Sequence, residues 1–591
     1  MALDTARQRL ELSFDALQRP TEVRATLDQG LPQITRYAYD AVGNRHSQTH
    51  PNGTQVAYSY DARHRLKTLL HTTAAGVALL SLSYTVDASG LRTEIAETRP
   101  HPTAGQPAIT RTTAYTYDAV KRLIREQVSG TQNQTRNTAH TYDAVGNRLT
   151  EATTGTINKS HTHTFDANDR LTRTIGTGGT VDHVYDAAGN LIESKQSGTT
   201  TARYSFDAEG RLTAATIGLG AAQKTLSYVY DPNGIRRSQR TTDATGASTR
   251  TEYLVDPNQA YAQVLEEWDA QAAAGAALPA ASLATVYVYG DDLISQTQLA
   301  LAATTTHIYH YDGLGTTRAL SAYNVDTAGN PVTSGPNAHA SITDRYAYTA
   351  FGEPDPAGTS GNTTGSTDNN YRYTGEQLDP NLGFYYLRAR YMDPRSGRFL
   401  GMDPFSGHEV NPVTLHRFIY ANNIPSTAID PSGNLAAMVL GGGTYARSAS
   451  LGSVVPLQML RAFRMALNIG RAVSATQAHD PPLIDSRLGT RVLPFALELA
   501  QSCFRGGTFN QQDCRFSRPT FLVGATTPRH REIVTRAITA GAPPVLTRRE
   551  PPLGRGWLRC PGSVLGDNLD CDEYPYASCT REGQMASHIS S

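Results

Sequence analysis

The fold can be inferred from Tyr37-Ala-Tyr-Asp-Ala-Val-Gly-Asn-Arg45, because copies of this sequence recur along the first half of the 591-residue chain. Clear copies are Tyr115-Thr-Tyr-Asp-Ala-Val120, Tyr142-Asp-Ala-Val-Gly-Asn-Arg-Leu149 and Tyr185-Asp-Ala-Ala-Gly-Asn-Leu191. The aspartates of the series, at positions 40, 61, 87, 118, 143, 166, 186, 207, 231 and 256, are 20 to 31 residues apart. Such a period indicates a repeat architecture, in which each unit is completed by its neighbours.

Each repeat unit is predicted to be a β-hairpin. In a strand, the alternation Tyr-x-Tyr places both rings on one face. Asp40 then starts a turn through its side chain, and the pair Gly43-Asn44 is expected to supply the positive φ. A single hairpin is marginally stable, so consecutive units are expected to pair edge to edge into one long sheet.

The last quarter of the chain has a different chemistry. All five cysteines lie after residue 500, and residues 435–591 carry 17 Arg, no Lys and 11 acidic residues, a net charge of +6. The preceding residues carry −6. A tail whose basic residues are all arginines suits phosphate binding, although a genome that encodes Arg in place of Lys would give the same bias. No run of 18 apolar residues exists, so no transmembrane helix is expected, and the first residues lack the apolar core of a secretory signal.

Three further stretches resemble the core signature of the Rhs (rearrangement hotspot) family. They are Tyr371-Arg-Tyr-Thr-Gly-Glu-Gln-Leu-Asp379, Gly383-Phe-Tyr-Tyr-Leu-Arg-Ala-Arg-Tyr391 and Asp393-Pro-Arg-Ser-Gly-Arg-Phe-Leu400. Together with the repeats, which resemble the YD repeats of that family, the resemblance covers about residues 30 to 434. It implies a mostly β protein whose hairpins spiral into a hollow shell, a β-cocoon, that encloses a small α+β toxin domain.

The resemblance also implies the domain boundaries. We expect YD/Rhs repeats in residues 1–340 and an Rhs-associated core with a self-cleavage motif in 341–434. A linker with an amphipathic helical segment is expected in 435–500, and a toxin domain in 501–591.

The core closes with Pro425-Ser-Thr-Ala-Ile-Asp-Pro-Ser-Gly433, in which Asp430 precedes a proline, and Asp403-Pro404 is an earlier dipeptide of the same kind. In the family, two aspartates in such contexts act as an aspartyl-protease-like pair, which implies that Asp403 and Asp430 cut the chain at Asn434–Leu435 or one residue later. Two carboxyl groups in one buried site cannot both ionise, so one can serve as acid and the other as base. The alternative is that Asp-Pro is simply a turn dipeptide, which this chain contains several times.

The tail resembles the NucA/NucB-type deoxyribonucleases over about residues 517 to 583. The residues that carry the resemblance are Pro519–Val523, the helix-like run from Pro528, Arg559-Cys-Pro-Gly562 and, above all, Cys571-Asp-Glu-Tyr-Pro-Tyr-Ala577. It implies a metal-dependent nuclease in which Asp572 and Glu573 are the catalytic acids and ligands of Mg²⁺ or Mn²⁺. A hard divalent cation would polarise the phosphate and lower the pKa of a water.

Other tail residues have candidate roles beside those acids. His530 is a candidate base or metal ligand, and we expect disulfides between Cys560 and Cys571 and between Cys503 and Cys514, with Cys579 left over. Arginines that could hold a phosphate backbone without reading sequence are Arg548, Arg549, Arg555 and Arg559.

Taken together, the resemblance implies a secreted antibacterial effector that is made in the bacterial cytoplasm and delivered into competing cells. Its substrate would be DNA, and a cognate immunity protein would protect the producer. Delivery would use a type VI spike or a chaperone that engages an N-terminal part missing from this sequence. Two alternatives stay open: the tail cuts RNA, or the chain is a non-enzymatic surface cassette that adheres or binds carbohydrate and carries an inactive toxin remnant.

Overall fold

The computed structural model describes residues 2–439, apart from residues 6, 29, 102, 104, 132–133, 260, 300–303, 327, 335–337, 357, 360–367, 408–411 and 435. These residues fall in one compact unit, Met1–Ser450. Almost all of their regular structure is β, as the repeats predict.

A 28-stranded antiparallel sheet dominates the described residues. Every strand pairs with the next one in the chain, from β1 with β2 to β27 with β28, so the sheet is a continuous meander. The strands β1 to β28 are, in order, Ala2–Asp4, Gln8–Phe14, Pro20–Leu27, Gln33–Tyr39, Arg45–Thr49, Gln55–Tyr60, Leu66–Thr72, Ala78–Val86, Arg92–Arg99, Ile109–Tyr117, Leu123–Gly130, Arg136–Tyr142, Arg148–Gly155, Lys159–Phe165, Leu171–Gly176, Gly179–Tyr185, Leu191–Gln196, Thr199–Phe206, Leu212–Ile217, Lys224–Tyr230, Arg236–Asp243, Ser248–Asp256, Gln263–Ala272, Ser282–Tyr289, Leu293–Leu299, Thr304–Tyr311, Thr317–Tyr323 and Ile342–Arg345.

Two small sheets and four 3₁₀ turns complete the regular structure of the described part. The strands β29 to β32 form one sheet and β33 and β34 the other: Gln377–Asp379, Phe384–Leu387, Arg390–Asp393 and Arg398–Phe399, then Ala428–Ile429 and Ala437–Met438. The 3₁₀ turns are Gly220–Ala222, Tyr373–Gly375, Pro412–Leu415 and Ala421–Asn423. Within these described ranges, none of the helical segments has the length and apolar character needed to span a bilayer.

The turn aspartate organises each hairpin through its own carboxylate. Asp40 Oδ1 accepts the backbone N–H groups of Val42 (3.1 Å) and Asn44 (2.8 Å), and Asp40 Oδ2 accepts the Asn44 side-chain amide at 2.9 Å. The expectation that Gly and Asn together supply positive φ is wrong for Asn. Gly43 alone has a positive φ, of 99°, because one left-handed residue suffices for this turn, and Asn44 serves as a donor to Asp40.

Repeats that carry Arg in place of this Asn connect neighbouring turns. Arg122 Nε donates to Asp118 Oδ2 of its own turn at 2.7 Å, and its Nη1 donates to the carbonyl oxygen of Asp143, in the next turn, at 2.6 Å. The guanidinium also lies 4.9 Å from the centre of the Tyr142 ring, a cation–π distance. The same intra-turn ion pair occurs in Arg19–Asp15, Arg65–Asp61, Arg170–Asp166 and Arg211–Asp207.

The tyrosine just before the turn aspartate ties its hairpin to the preceding one. The Tyr142 hydroxyl donates to the carbonyl oxygen of Leu123, the first residue of β11, at 2.7 Å. We call this bond the tyrosine clasp. It recurs from Tyr39 to Pro20, Tyr60 to Arg45, Tyr230 to Leu212 and Tyr311 to Leu293, at 2.8 to 2.9 Å, and each acceptor is the first residue of a strand.

The meander curves until its first strands contact strands near its far end. Val23 and Tyr37 pack in one buried cluster with Val288 and Ile294. Arg45 forms ion pairs with Asp291 and Asp292 at 2.7 and 2.8 Å. We call this contact, between β2–β9 and β24–β27, the seam. Its bonds are made by side chains, since each of these strands hydrogen-bonds along its length only to its sequence neighbours in the sheet.

The core segment, residues 369–439, covers the edge of the sheet where the aspartate turns lie. All these turns join an even-numbered strand to the next one, so they share one edge. Asn423 Nδ2 donates to the carbonyl oxygen of Gly146 at 2.9 Å, and the backbone N–H of Leu191 donates to the carbonyl oxygen of Leu400 at the same distance. The repeats thereby hold the segment that contains Asp403 and Asp430.

We expect the tyrosine clasp to stabilise the sheet measurably. Tyr142→Phe removes the hydroxyl but keeps the ring under Arg122, so it should cost about 1 kcal/mol, as for one buried hydrogen bond. Tyr142→Ala also removes the ring and should cost about 3–5 kcal/mol. Chemical denaturation followed by circular dichroism measures both. A cost near zero for Tyr142→Phe would show that the hydroxyl has no part in coupling the hairpins.

Candidate functional site

The turn after β33 holds Asp430 against the backbone that it is predicted to cut. Asp430 is buried, with 3% of its surface exposed. Its Oδ1 accepts the backbone N–H of Asn434 and the Ser432 hydroxyl, both at 3.1 Å. Gly433 has a φ of 72°, and a Cβ there would lie 2.4 Å from the carbonyl oxygen of Leu387. Glycine is therefore required for both its conformation and its close approach to β30.

Asp403 is held in place from three sides. Its backbone N–H donates to the carbonyl oxygen of Arg417 at 2.9 Å, and its Oδ1 accepts the backbone N–H of Phe405 at 2.8 Å. Its Oδ2 accepts Nη2 of Arg390, the first residue of β31, at 2.6 Å. The carboxylate is thus fixed toward the Asp430 turn.

Arg390 joins the two aspartates. Its Nη2, which binds Asp403, also lies 3.8 Å from Asp430 Oδ2. Its Nε donates to the carbonyl oxygen of Gly433, and its guanidinium carbon lies 3.7 Å from the centre of the Phe399 ring. One arginine therefore contacts both predicted catalytic carboxylates and the carbonyl one residue before Asn434.

The sequence did not single out Arg390, although it lies inside the core stretch Gly383–Tyr391. One feature of the sequence could have identified Arg390. An arginine on a strand this rich in apolar residues needs a partner of opposite charge, because a buried charge is stable only when it is paired. The spacing of Asp403 and Asp430 alone does not reveal which cation they share.

Burial and charge act in opposite directions on the titration of this group. Burial raises the pKa of Asp403, the Arg390 guanidinium offsets part of that shift, and the nearby Asp430 charge adds to the increase. Burial likewise lowers the pKa of Arg390, against the attraction of both carboxylates. Asp403 is accordingly easier to protonate than an exposed aspartate.

A second ion pair supports the Asp430 turn from the other side. Arg388 Nη1 donates to Glu376 Oε2 at 2.8 Å and to the carbonyl oxygen of Pro431 at 2.5 Å. Glu376 is buried, which raises its pKa, while Arg388 partly offsets that increase. The pair holds the peptide that follows Asp430 and so fixes the direction of its carboxylate.

The chain beyond the turn is also bound to the described unit. Ala437–Met438 (β34) pairs with Ala428–Ile429, and Val439 is buried against Leu314 and Ile429. Arg92 Nη2 donates to the carbonyl oxygen of Val439 at 3.3 Å. The backbone is therefore anchored on both sides of Asn434.

The predicted tail site lies outside the described residues. This applies to Leu435 and to all the tail residues named above: Asp572, Glu573, His530, Arg548, Arg549, Arg555, Arg559, Cys503, Cys514, Cys560 and Cys571. Among the residues described up to 439, no three His, Cys, Asp or Glu side chains could hold a metal ion. The Mg²⁺ or Mn²⁺ expectation concerns the tail and stays a prediction.

Family comparisons agree with the repeat geometry. Residues 39–78 match the RHS Repeat model, and residues 79–265 match the Teneurin YD-shell model. Over residues 39–265 the meander is therefore similar to RHS repeats and to the Teneurin YD-shell.

Two bacterial relatives share part of the chain. The tRNA nuclease WapA of Bacillus subtilis is 32% identical over 240 residues, which is 41% of this chain and 9% of WapA. The toxin protein Tse5 of Pseudomonas aeruginosa is 38% identical over 79 residues, 13% of this chain and 6% of Tse5. The alignments thus span less than a tenth of the length of either relative.

Solved structures show the same fold. The crystal structure of TcdB2-TccC3 aligns with a TM-score of 0.57 at 18% identity and covers 72% of this chain and 21% of that one. The crystal structure of TcdB2-TccC3-Cdc42 gives the same TM-score and covers 20% of that chain. The predicted β-shell fold class is confirmed.

We expect Arg390→Gln to destabilise the core segment strongly at neutral pH. Removing the shared cation leaves two buried carboxylates without the arginine that offsets their charge, which should cost about 3–5 kcal/mol. The loss should shrink as the pH falls and the carboxylates protonate. Chemical denaturation at pH 7 and pH 4 measures both effects.

Arg395→Gln is the matched control. The Arg395 side chain is 57% exposed and pairs with Asp393 at 2.9 Å, so its loss should cost about 1 kcal/mol or less. Equal destabilisation by the two variants would contradict the special position of Arg390.

Proposed function

We propose that the chain is an Rhs-type toxin whose shell holds a C-terminal tail that the protein itself cuts free. The observation that supports this most directly is the convergence of Asp403 and Asp430 on Arg390 next to the Gly433–Asn434 peptide. An ordinary Asp-Pro turn needs no second carboxylate and no buried cation. The relatives described as a toxin protein and a tRNA nuclease are consistent with a toxic cargo.

The cleavage chemistry follows from the two environments. Asp403, whose pKa is raised by burial, acts as the acid when it is protonated. Asp430, bound to the Asn434 backbone, acts as the base for a water. The water oxygen adds to the carbonyl carbon of Asn434, its proton passes to Asp430, and the acid protonates the departing amine of Leu435. Arg390 keeps both carboxyl groups in place.

Asp403→Asn and Asp430→Asn should each abolish cleavage, because an amide can neither give nor take the required proton. Intact-mass measurement of the purified chain should show fragments of residues 1–434 and 435–591 for the natural sequence, and one full-length species for either variant. Asp393→Asn, in an Asp-Pro dipeptide that does not contact the pair, should cleave normally. Normal cleavage by both site variants would exclude this mechanism.

We propose further that the tail is a metal-dependent nuclease that acts on DNA, with Asp572 and Glu573 as its acids. The motif Cys571-Asp-Glu-Tyr-Pro-Tyr supports the assignment. WapA, described as a tRNA nuclease, supports nuclease chemistry in general and makes tRNA the competing substrate. The effector would be made in the bacterial cytoplasm, delivered by a secretion apparatus such as a type VI spike, and neutralised in the producer by a cognate immunity protein.

The purified chain with Mg²⁺ or Mn²⁺ should degrade plasmid DNA, and EDTA should stop it. The double change Asp572→Ala and Glu573→Ala should lower the rate at least about 100-fold, because it removes both candidate metal ligands. Asp567→Ala with Glu550→Ala removes the same charge outside the motif and should have little effect. Cleavage of tRNA but not of plasmid would replace DNA as substrate, and full activity of the double variant would reject the assigned acids.

A further inference from the structure

Three buried histidines meet at the seam. His71, in β7, and His310, in β26, approach with their Nδ1 atoms 3.2 Å apart. The His50 ring lies edge-on to His310, with 5.6 Å between ring centres. All three are at most 4% exposed. They come from opposite ends of the meander and so connect the early strands to the late ones.

Hydrogen-bond partners satisfy the His71 and His310 rings when both are neutral. His71 Nε2 lies 2.9 Å from the carbonyl oxygen of Tyr311, which can only accept. His71 Nε2 must therefore donate, and in neutral His71 the Nδ1 atom accepts the Nδ1–H of His310. His310 Nε2 then accepts the Ser321 hydroxyl at 2.8 Å. With both rings neutral every nitrogen of the pair has a partner, whereas two protonated rings would leave two donors facing each other between the Nδ1 atoms.

A bound metal ion does not explain the cluster, since no set of three ligands in the described part of the chain could hold one. His50 adds a further constraint: both of its ring nitrogens are buried without a hydrogen-bond partner in the described residues. A ring in that position avoids a large penalty only as long as it stays uncharged.

The charged groups around the cluster already have partners. Arg45 faces His50 and is bound to Asp291 and Asp292. Asp312 accepts the backbone N–H groups of Leu314 and Thr316 at 2.9 and 3.0 Å. The other titratable or charged groups facing the cluster are Tyr58, Tyr309, Tyr311 and Arg345. None of these four is a carboxylate. A newly formed imidazolium would therefore face two cations, Arg45 and Arg345, and only carboxylates that already accept other hydrogen bonds or ion pairs.

We propose that the seam is an acid-sensitive closure, in which protonation of His50, His71 and His310 separates the early strands from the late ones while the repeat sheet persists. Once both His71 and His310 are protonated, two Nδ1–H donors face each other across 3.2 Å. Like charges on three adjoining rings and on Arg45 would then repel in a buried site. The seam has no continuous backbone ladder to resist this, whereas the strands on either side of it do.

The direction of the pH dependence follows from the same burial. Burial lowers the pKa of His50 to about 3 and that of His71 to about 4, from an ordinary value of 6.5, and it holds the pKa of His310 well below that ordinary value. The open seam therefore binds more protons than the closed one below pH 6.5. The stability of the closed seam is complete above pH 6.5 and falls as the pH drops toward 4.

Hydrogen exchange of the full chain between pH 7.5 and 4.5, with rates corrected for intrinsic exchange, tests this. At pH 5, keeping one of these imidazoles neutral should lower the equilibrium constant for seam closure about 30-fold, because pH 5 lies 1.5 units below the ordinary histidine pKa of 6.5. Protection of peptides from β5–β7 and β26–β27 should fall at least that much. Strands β20–β23, which contain no histidine, should retain their protection. Equal loss in both regions would overturn the proposal.

Substitutions separate the cluster from the other histidines. The double variant His71→Gln and His310→Gln lacks two titrating groups. Between pH 7.5 and 5, its seam should therefore lose at least about tenfold less hydrogen-exchange protection than the seam of the natural sequence. His46→Gln, exposed on the neighbouring strand β5, should behave as the natural sequence. An unchanged acid response in the double variant overturns the proposal. If the double variant is already open at pH 7.5, His50→Phe provides the test, and an unchanged response there is equally decisive.

Discussion

Coupling between hairpins depends on one recurring contact, in which the hydroxyl of a tyrosine before a turn donates to the carbonyl oxygen of the first residue of the preceding return strand. A hairpin of this size is marginal by itself, so its stability must come from its neighbour. The edge-to-edge ladder supplies part of that stability, and the clasp supplies a bond that exists only when two units are in register. Where Phe165 or Phe206 takes the place of this tyrosine, the ring remains and the bond is lost. Coupling along the sheet is therefore uneven, and strongest where Tyr, Arg and Asp occur together.

The same turns create the surface on which the candidate cleavage site is built. Because the aspartate turns of the repeats lie on one edge, that edge presents a row of fixed carbonyls and amides to the core segment. Contacts such as Asn423 with Gly146 use this row, so the core segment is held by a scaffold rather than by its own contacts alone. Such support allows Arg390, Asp403 and Asp430 to stay buried together, although isolating charged groups from water is unfavourable. A small loop domain with the same residues would relax and hydrate them.

Much of this architecture can be predicted from the sequence, for reasons that concern local chemistry. Asp followed by a glycine three residues later specifies the turn, and alternation specifies the strand, so the hairpins and their pairing follow from neighbouring residues. The role of Asn44 as a donor to Asp40 does not follow from the sequence, because asparagine in a turn can supply either a positive φ or a side-chain hydrogen bond. Arg390 and the seam were missed for a different reason. Their contacts join separate elements through side chains. No periodic pattern in the sequence specifies which distant parts of a curved sheet come into contact.

Acid weakens the aspartate turns and the histidine seam over different pH ranges. Partial burial of Asp40 would raise its pKa, but hydrogen bonds from Asn44, Val42 and Gly43 outweigh that effect and lower it. The stability contributed by such turns is complete above the ordinary aspartate pKa, and is lost only as the pH falls through the lower folded value. The seam histidines lose their contribution from pH 6.5 downward. Between about pH 4 and 6.5 the Asp40 turn therefore remains bonded while the seam weakens. A shell with this division can open at one place without unfolding, because three buried imidazoles meet at its closure, beside the apolar contacts and the Arg45 ion pairs that also hold it.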